Sequence, residues 1–116
     1  MKRSAKLKAT APAVKMQARM AAAIRKIPRG KVSSYGAVAR GAGYSGYARQ
    51  VVQILHRIPG LPWHRVLGAG GEIKLRGDSA IEQRLRLQGE GVTFRGRRVN
   101  FAVHEFKFPK TKARAR

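Results

Sequence analysis

Few side chains in this chain of 116 residues could carry out chemistry. It has three histidines, five carboxylates and no cysteine, which excludes a disulfide framework, a thiolate metal site and a cysteine nucleophile. His56 and His104 have no partners at the spacing of metal ligands, so we predict no metal site and no cofactor. His64 and Glu90 are a pair that a hydrolase could use, but no evident nucleophile accompanies them. These residue types favour binding over catalysis.

The charge of the chain indicates what it binds. Its 26 Lys and Arg residues against five acidic residues give a formal net charge of +21. Six basic residues lie in residues 1–20 and five in residues 107–116, which leaves fifteen basic and five acidic residues between them. A polyanion is the natural partner, because neutralising phosphates releases condensed counterions. An anionic membrane would need a basic amphipathic helix with bulky apolar residues, whereas the spacers in both termini are mostly Ala, Thr and Pro. We therefore predict nucleic acid and no membrane.

The sequence also predicts where the protein is found. No stretch approaches the ~18 uninterrupted apolar residues of a membrane span. The basic N-terminus lacks the apolar segment of a secretory signal. We expect a soluble intracellular protein, cytoplasmic and associated with the nucleoid.

Two short helices joined by a glycine-containing turn predict a helix-turn-helix. Ser33 or Ser34 can cap the first helix of this pair, and residues 41–43 form the turn. Ser45 can cap the second helix, which runs to about Arg57. This is the arrangement that many DNA-binding proteins use.

The other elements follow from periodicity and from helix-breaking residues. Apolar residues at helical spacing predict a first helix over residues 13–27, and a proline-rich crossing occupies residues 58–65. Residues 79–82 fit a capping box at the start of a helix that ends near Gly89. Two short β-type runs within residues 92–101 flank Arg-Gly-Arg-Arg and predict a β-hairpin.

These elements predict one small domain with a single core. The hydrophobic content of 43% suffices for that and no more. We expect a mainly α, winged-helix-like helix-turn-helix DNA-binding domain with a minor β-hairpin at residues 13–106. A basic disordered arm (1–12) would precede it, and a basic tail (107–116) would follow.

Several short motifs follow one another in order along the chain. They are Ile27-Pro28-x-Gly30-x-Val32-x-x-Tyr35-Gly36-x-Val38-Ala39, Ala48-Arg49, Pro62-Trp63-His64-Arg65-Val66 and Glu90-Gly91-Val92. At this order and spacing they resemble the C-terminal, DNA-binding domain of the O6-alkylguanine-DNA alkyltransferases, over about residues 13–106. In those enzymes the Pro-x-His-Arg-Val motif holds the cysteine that accepts the alkyl group. Trp63 stands at that position here. The chain is in this respect similar to the alkyltransferase-like proteins, which share the fold but only bind the lesion.

The chemistry of the side chains leads to the same expectation independently. Removing an alkyl group directly from guanine needs a soft, deprotonated thiolate. An indole has no comparable nucleophilicity, and the chain contains no cysteine that could substitute. We therefore expect no methyltransferase activity.

The resemblance implies roles for four residues at the lesion. Tyr35 would press against the phosphate of the target nucleotide and help to rotate it. Arg49 would fill the gap that the flipped base leaves, which offsets part of the cost of unstacking. Trp63 and Arg76 would line the pocket, and Arg76 could stack on the purine or donate to it. Without the resemblance, Tyr35 and Trp63 would be read as packing residues, and the two arginines as phosphate-contacting or solvated.

The remaining predicted site residues complete this surface. The lesion pocket also includes Pro62 and His64, and the DNA-binding surface also includes Ser34, Ala48 and Gln53. The resemblance further implies that His64, Arg65 and Glu90 form a hydrogen-bonded network, which here would be structural because there is no thiol to activate. One departure is Ile58, where the family usually has Asn; the loop before Trp63 is also shorter than in many relatives.

The expected function is that of a DNA damage sensor without repair chemistry. It would act as a monomer, bind O6-alkylguanine in duplex DNA by base flipping and flag the site for nucleotide excision repair proteins. The last step is implied by the resemblance alone. The alternative is a helix-turn-helix transcriptional regulator or an architectural DNA-binding protein without lesion specificity, and a third possibility is a hydrolase that uses His64 and Glu90.

Overall fold

The computed structural model describes residues 11–109, so most of the predicted arm and tail lies outside the described residues. The helices are α1 (Ala11–Arg25), α2 (Tyr35–Gly41), α3 (Ala48–Arg57), α4 (Gly77–Gly89) and α5 (Phe101–His104). The strands are β1 (Ser33–Ser34), β2 (Val66–Leu67), β3 (Phe94–Arg95) and β4 (Arg98–Val99). Two 3₁₀ turns cover Trp63–Arg65 and Ala69–Gly71. The predicted mainly helical class with a minor hairpin is confirmed.

The first helix forms where the apolar spacing predicts it, shifted by two residues toward the N-terminus. Pro12 lies in its first turn, where a residue without an N–H is tolerated. Its buried side faces the other helices, through Met20, Ala21, Ala23 and Ile24. The helix ends before Pro28, which cannot continue the hydrogen-bond ladder.

The helix-turn-helix is present, but only one of its predicted caps is correct. Ser34 caps α2, because its Oγ accepts a hydrogen bond from the backbone N–H of Ala37 at 3.1 Å. The predicted cap at Ser45 is wrong: α3 begins at Ala48 after Tyr47, which makes no side-chain capping bond. Gly46 has φ +91, and this left-handed turn separates Ser45 from the helix.

Two strands that the sequence did not predict connect the helix-turn-helix to the second half of the chain. Strands β1 and β2 pair in parallel, Ser33 with Val66 and Ser34 with Leu67. A ladder two residues long has no periodicity that a sequence could reveal. The pairing fixes the start of α2 beside the loop that carries Trp63.

The predicted capping box at Ser79 is also wrong, because α4 begins at Gly77 with Arg76 as the N-cap residue, and no side chain caps it. The predicted end at Gly89 is correct. The hairpin is shorter than predicted: β3 and β4 pair only Phe94 with Val99 and Arg95 with Arg98. The residues after it turn into α5 instead of extending the strand.

The buried side chains form two clusters rather than the single core expected. The first lies among α1, α2 and α3 and includes Met20, Ile24, Val38 and Val51. The second lies under β2, α4 and the hairpin and includes Val32, Leu67, Ile73, Leu87, Val92 and Val99. The β1–β2 pair spans both clusters, since Val66 belongs to the first and Leu67 to the second.

The end of the described chain packs back onto the helix-turn-helix. Phe106 and Phe108 cover the first cluster, although Phe108 lies beyond the predicted end of the domain. A Cβ built on Gly41 would approach the Phe108 ring to 2.6 Å, so a residue without a side chain is required there. Across residues 11–109 there is no helix with the length and apolar character to cross a membrane.

Candidate nucleic-acid interface

An open cleft of about 800 Å³ runs along the start of the helix-turn-helix. Tyr35, the first residue of α2, and Arg49, near the start of α3, both line it, and so do Lys74 and Leu75. Burial raises the pKa of Tyr35 above 10.0, so its phenol keeps its proton at neutral pH and can donate to an anionic oxygen. The cleft thus combines a hydrogen-bond donor with cations.

A smaller cavity of about 290 Å³ lies beside this cleft. It is lined by Tyr35, Val52, Leu55, His56, Trp63, Val66, Leu75, Ser79 and Gln83. Tyr35, Val52 and Leu75 belong to both the cleft and the cavity, so the two are adjacent. The volume is just below the range for ligand pockets, roughly 300–1,000 Å³, and suits one small planar group.

The predicted pocket residues are divided between the cavity and its surroundings. Trp63 lies in the cavity wall, with its ring at 82° to the His64 ring and the Arg86 guanidinium 5.6 Å from its centroid. Pro62 precedes the Trp63–Arg65 turn, and neither it nor His64 lines the cavity. Arg76 lines a neighbouring cleft instead, and Leu75 is common to that cleft and the cavity.

The predicted network of His64, Arg65 and Glu90 is formed. The Glu90 carboxylate is 2.8 Å from His64 Nε2 and 2.8 Å from an Arg65 guanidinium nitrogen. It also accepts the backbone N–H of Gly30 at 3.0 Å, and Arg65 donates to the Ile27 carbonyl at 3.0 Å. These bonds tie the turn after Trp63 to the loop that follows α1 and to the end of α4.

The protonation state of Glu90 follows from these contacts. Burial alone would raise its pKa, but the hydrogen bonds from Arg65, His64 and Gly30, with the charge of His64, lower the pKa to about 2. Its side chain is only 6% exposed. Glu90 is therefore an ionised structural anchor at neutral pH, and its oxygens are occupied.

Gln83 of α4 is a further residue that contacts the Trp63–Arg65 turn, and it was not predicted from the sequence. It is 1% exposed, and its side-chain amide donates to the carbonyls of His64 (3.3 Å) and Val66 (3.1 Å). Because a carbonyl oxygen can only accept a hydrogen bond, the amide atom that contacts these two carbonyls is the nitrogen, Nε2. Within residues 11–109 its Oε1 has no hydrogen-bond partner. Gln83 thus fixes the backbone on both sides of Arg65.

The residues predicted for the DNA-binding surface lie on or near the cleft. Ser34 caps α2, and Ala48 begins α3 and lines the cleft. Gln53 is exposed on α3, but neither the cleft nor the cavity includes it. The cleft and cavity roles of all these residues stay predictions.

Several cavity residues were missed, and one signal could have found some of them. Val52, Leu55 and His56 are three and four residues apart on α3, which is the spacing of one helix face. Ser79 and Gln83 are likewise four residues apart on α4, whereas Leu75 lies before that helix and no local pattern marks it. Nowhere in residues 11–109 are three or more His or acidic side chains grouped so that they could hold a metal ion.

The fold and this cleft define a small helix-turn-helix DNA-binding domain. The family model of the DNA-binding domain of 6-O-methylguanine DNA methyltransferase matches residues 15–92, and the chain belongs to this family.

Relatives have similar sequences. A DNA base-flipping protein of Vibrio parahaemolyticus is 46% identical over 74 residues, which cover 61% of this chain and 74% of the relative. Alkyltransferase-like protein 1 of Schizosaccharomyces pombe is 51% identical over 75 residues, 60% of this chain and 69% of the relative.

Solved structures agree. The S. pombe Atl1 complex with damaged DNA containing O6-carboxymethylguanine matches with a TM-score of 0.69 and 34% identity, over 81% of this chain and 96% of Atl1. Mycobacterium tuberculosis OGT in complex with DNA matches with a TM-score of 0.59 and 35% identity, over 64% of this chain and 48% of OGT. The predicted family resemblance is therefore confirmed.

Proposed function

We propose that this chain is a non-enzymatic DNA damage sensor that binds O6-alkylguanine in duplex DNA by flipping the base. The observation that carries the proposal is the cavity lined by Tyr35 and Trp63. The motif resemblance implies that Trp63 stands where the transferases have their acceptor cysteine. The names of two relatives, a DNA base-flipping protein and an alkyltransferase-like protein, support it. So does the complex of Atl1 with damaged DNA.

The arrangement of side chains suggests how the base would move. Tyr35 belongs to both the cleft and the cavity, so a nucleotide displaced from a duplex in the cleft would pass this phenol on its way into the cavity. Arg49 lines the cleft only, where the gap in the duplex would lie. An O6-alkylated guanine pairs imperfectly, so extruding it costs less than extruding guanine.

The proposed cavity would hold the base by stacking and by shape. The Trp63 indole offers a flat apolar surface, and Val52, Leu55, Val66 and Leu75 line the same cavity with aliphatic groups. Such a wall favours an alkylated base over guanine, because the alkyl group leaves water for an apolar surface.

No chemistry on the lesion is expected from these residues. The chain has no cysteine, and an indole cannot displace carbon from oxygen. The alternative of a hydrolase built on His64 and Glu90 is disfavoured, because the Glu90 oxygens are already bonded to Arg65, His64 and Gly30, and neither Glu90 nor His64 lines the cavity. We further propose that the complex of this protein with damaged DNA serves as a flag for nucleotide excision repair proteins, in the cytoplasm and with the nucleoid.

Binding to matched duplexes tests the proposal. Two duplexes that differ only in guanine or O6-methylguanine at one position are titrated with the protein, and tighter binding to the lesion is expected. After long incubation the lesion should persist in the DNA, and the intact protein should gain no methyl group by mass spectrometry. Equal affinity for the two duplexes, with preference for a defined sequence, would instead establish a transcriptional regulator.

A further inference from the structure

The β3–β4 hairpin concentrates positive charge at its tip. Arg95 and Arg98 are paired directly across the two strands, and Arg97 lies between them in the turn. All three are exposed. Like charges directly opposite each other destabilise a strand pair, and of these arginines Arg98 has a carboxylate nearby, Glu72 at 3.6 Å.

Contacts of Arg84 in α4 and of Arg98 in β4 hold the hairpin in place. Arg84 of α4 donates to the Gly96 carbonyl at 2.8 Å and lies 4.3 Å from the centroid of the Phe94 ring. Arg98 donates to the Ala69 carbonyl at 3.4 Å and lies 3.6 Å from Glu72. Among residues 11–109, by contrast, the side chains of Arg95 and Arg97 make no hydrogen bond or ion pair. The hairpin is therefore anchored while two of its cations are free to bind a ligand.

The hairpin is also continuous with the DNA-binding cleft. Arg97 lines an open cleft of about 610 Å³ together with Lys74, Leu75 and Arg76. Lys74 and Leu75 line the cleft of Tyr35 and Arg49 as well. The two clefts therefore adjoin at Lys74 and Leu75, and together they place basic side chains from the start of α3 to the hairpin. Glu72, the acidic residue of the cleft that Arg97 lines, already lies within 4 Å of Lys74 and Arg98.

We propose that the hairpin is a second DNA-contacting element, in which Arg95 and Arg97 bind backbone phosphates beyond the helix-turn-helix. A guanidinium fork matches phosphate geometry, and two phosphates would relieve the repulsion at the hairpin tip. The contacts read no base, so they strengthen binding to damaged and undamaged duplex equally. The inference rests on the proposed function only in taking duplex DNA as the partner.

The test compares two variants that lose the same charge. Arg95→Gln with Arg97→Gln keeps side-chain length and removes two charges from the hairpin. Arg25→Gln with Lys26→Gln removes two exposed charges at the end of α1. Thermal unfolding of both variants verifies that they fold. A third variant, Arg95→Lys with Arg97→Lys, keeps the two charges but lacks the planar guanidinium groups.

Affinity for a long duplex is measured across a salt series, with guanine or O6-methylguanine at the centre. The hairpin variant should bind on the order of tenfold more weakly at low salt, and its slope of log affinity against log salt should fall by about 1.8. The loss should be the same on both duplexes and smaller in the α1 variant. The lysine variant should recover most of the slope.

Shortening the duplex locates the contact. Base pairs are removed from either flank of the lesion in turn. Wild-type affinity should fall for one of the two flanks and not for the other, and the affinity of the hairpin variant should not change with either removal. An unchanged salt slope, a loss equal to that of the α1 variant, or a loss that persists on the shortened duplex would overturn the inference. So would unchanged DNA binding with lost binding to anionic phosphatidylserine vesicles. Failure of the proposed function is a separate result, because it appears as equal wild-type affinity for the two central bases.

Discussion

The Glu90 carboxylate makes a quantitative prediction about stability and pH. Its pKa lies at about 2 in the folded protein, against an ordinary value of 4.5. Each unit of pKa difference is worth about 1.4 kcal/mol, so the folded environment stabilises ionised Glu90 by about 3 kcal/mol. Because the pKa is lowered by folding, this stabilisation is present above pH 4.5 and is lost as the pH falls from there toward 2. Replacing Glu90 should remove it.

The measurement is urea unfolding of wild type and Glu90→Gln between pH 7 and pH 2. At pH 7 the variant should be less stable by about 3 kcal/mol, since Arg65 loses its buried partner. The difference should shrink as the pH falls below 4.5 and nearly vanish near pH 2. Glu82→Gln is the matched control, because Glu82 pairs with Arg86 at 2.7 Å but is 52% exposed. Such pairs contribute about 0–1 kcal/mol. A Glu90→Gln difference that stayed constant with pH, or that matched the Glu82→Gln difference, would refute the reasoning.

Three further predictions concern packing, charge and specificity. Gly41→Ala should destabilise the fold by about 1–3 kcal/mol in urea unfolding, because the new Cβ meets the Phe108 ring; Gly36→Ala in the same helix, with its nearest atom at 3.9 Å, should be neutral or stabilising. Deleting residues 1–10 and 110–116 removes eight basic residues and should weaken binding to damaged and undamaged duplex by similar factors; loss of lesion preference with general affinity intact would contradict this. Arg76→Ala should cost about 1–2 kcal/mol on O6-methylguanine duplex and less on plain duplex, with partial rescue by Lys, whereas equal losses would make Arg76 an ordinary phosphate contact.

Elements with a local signal could be predicted from the sequence. Three helices were predicted to within a few residues. The signals were the apolar spacing of the first helix, Pro28 and the turn glycines. Arg-Gly-Arg-Arg located the hairpin, because Gly96 supplies the positive φ of its tight turn. The motif around Trp63 identified the position of the cavity wall.

Features that depend on distant contacts could not be predicted. Ser45 and Ser79 are good capping residues, but Gly46 and Gly77 have positive φ and change where the helices begin. The β1–β2 pair exists because two segments meet in space, not because either has a strand pattern. Gln83 looks like an ordinary polar helix residue, and only its burial against the backbone of the Trp63 turn reveals its role.

Different residues keep the site rigid and supply its positive charge. Glu90 and Gln83 hold the Trp63 turn through bonds that are at least partly buried, and the Arg65 side chain that pairs with Glu90 is only 18% exposed, so the shape of the cavity does not depend on the exposed basic surface around it. The cations of the cleft and hairpin are exposed, and salt screens them strongly. Affinity for DNA should therefore fall with salt while the ratio between damaged and undamaged duplex stays nearly constant. A lesion preference that fell in step with affinity would mean that the exposed charges, rather than the cavity, select the base.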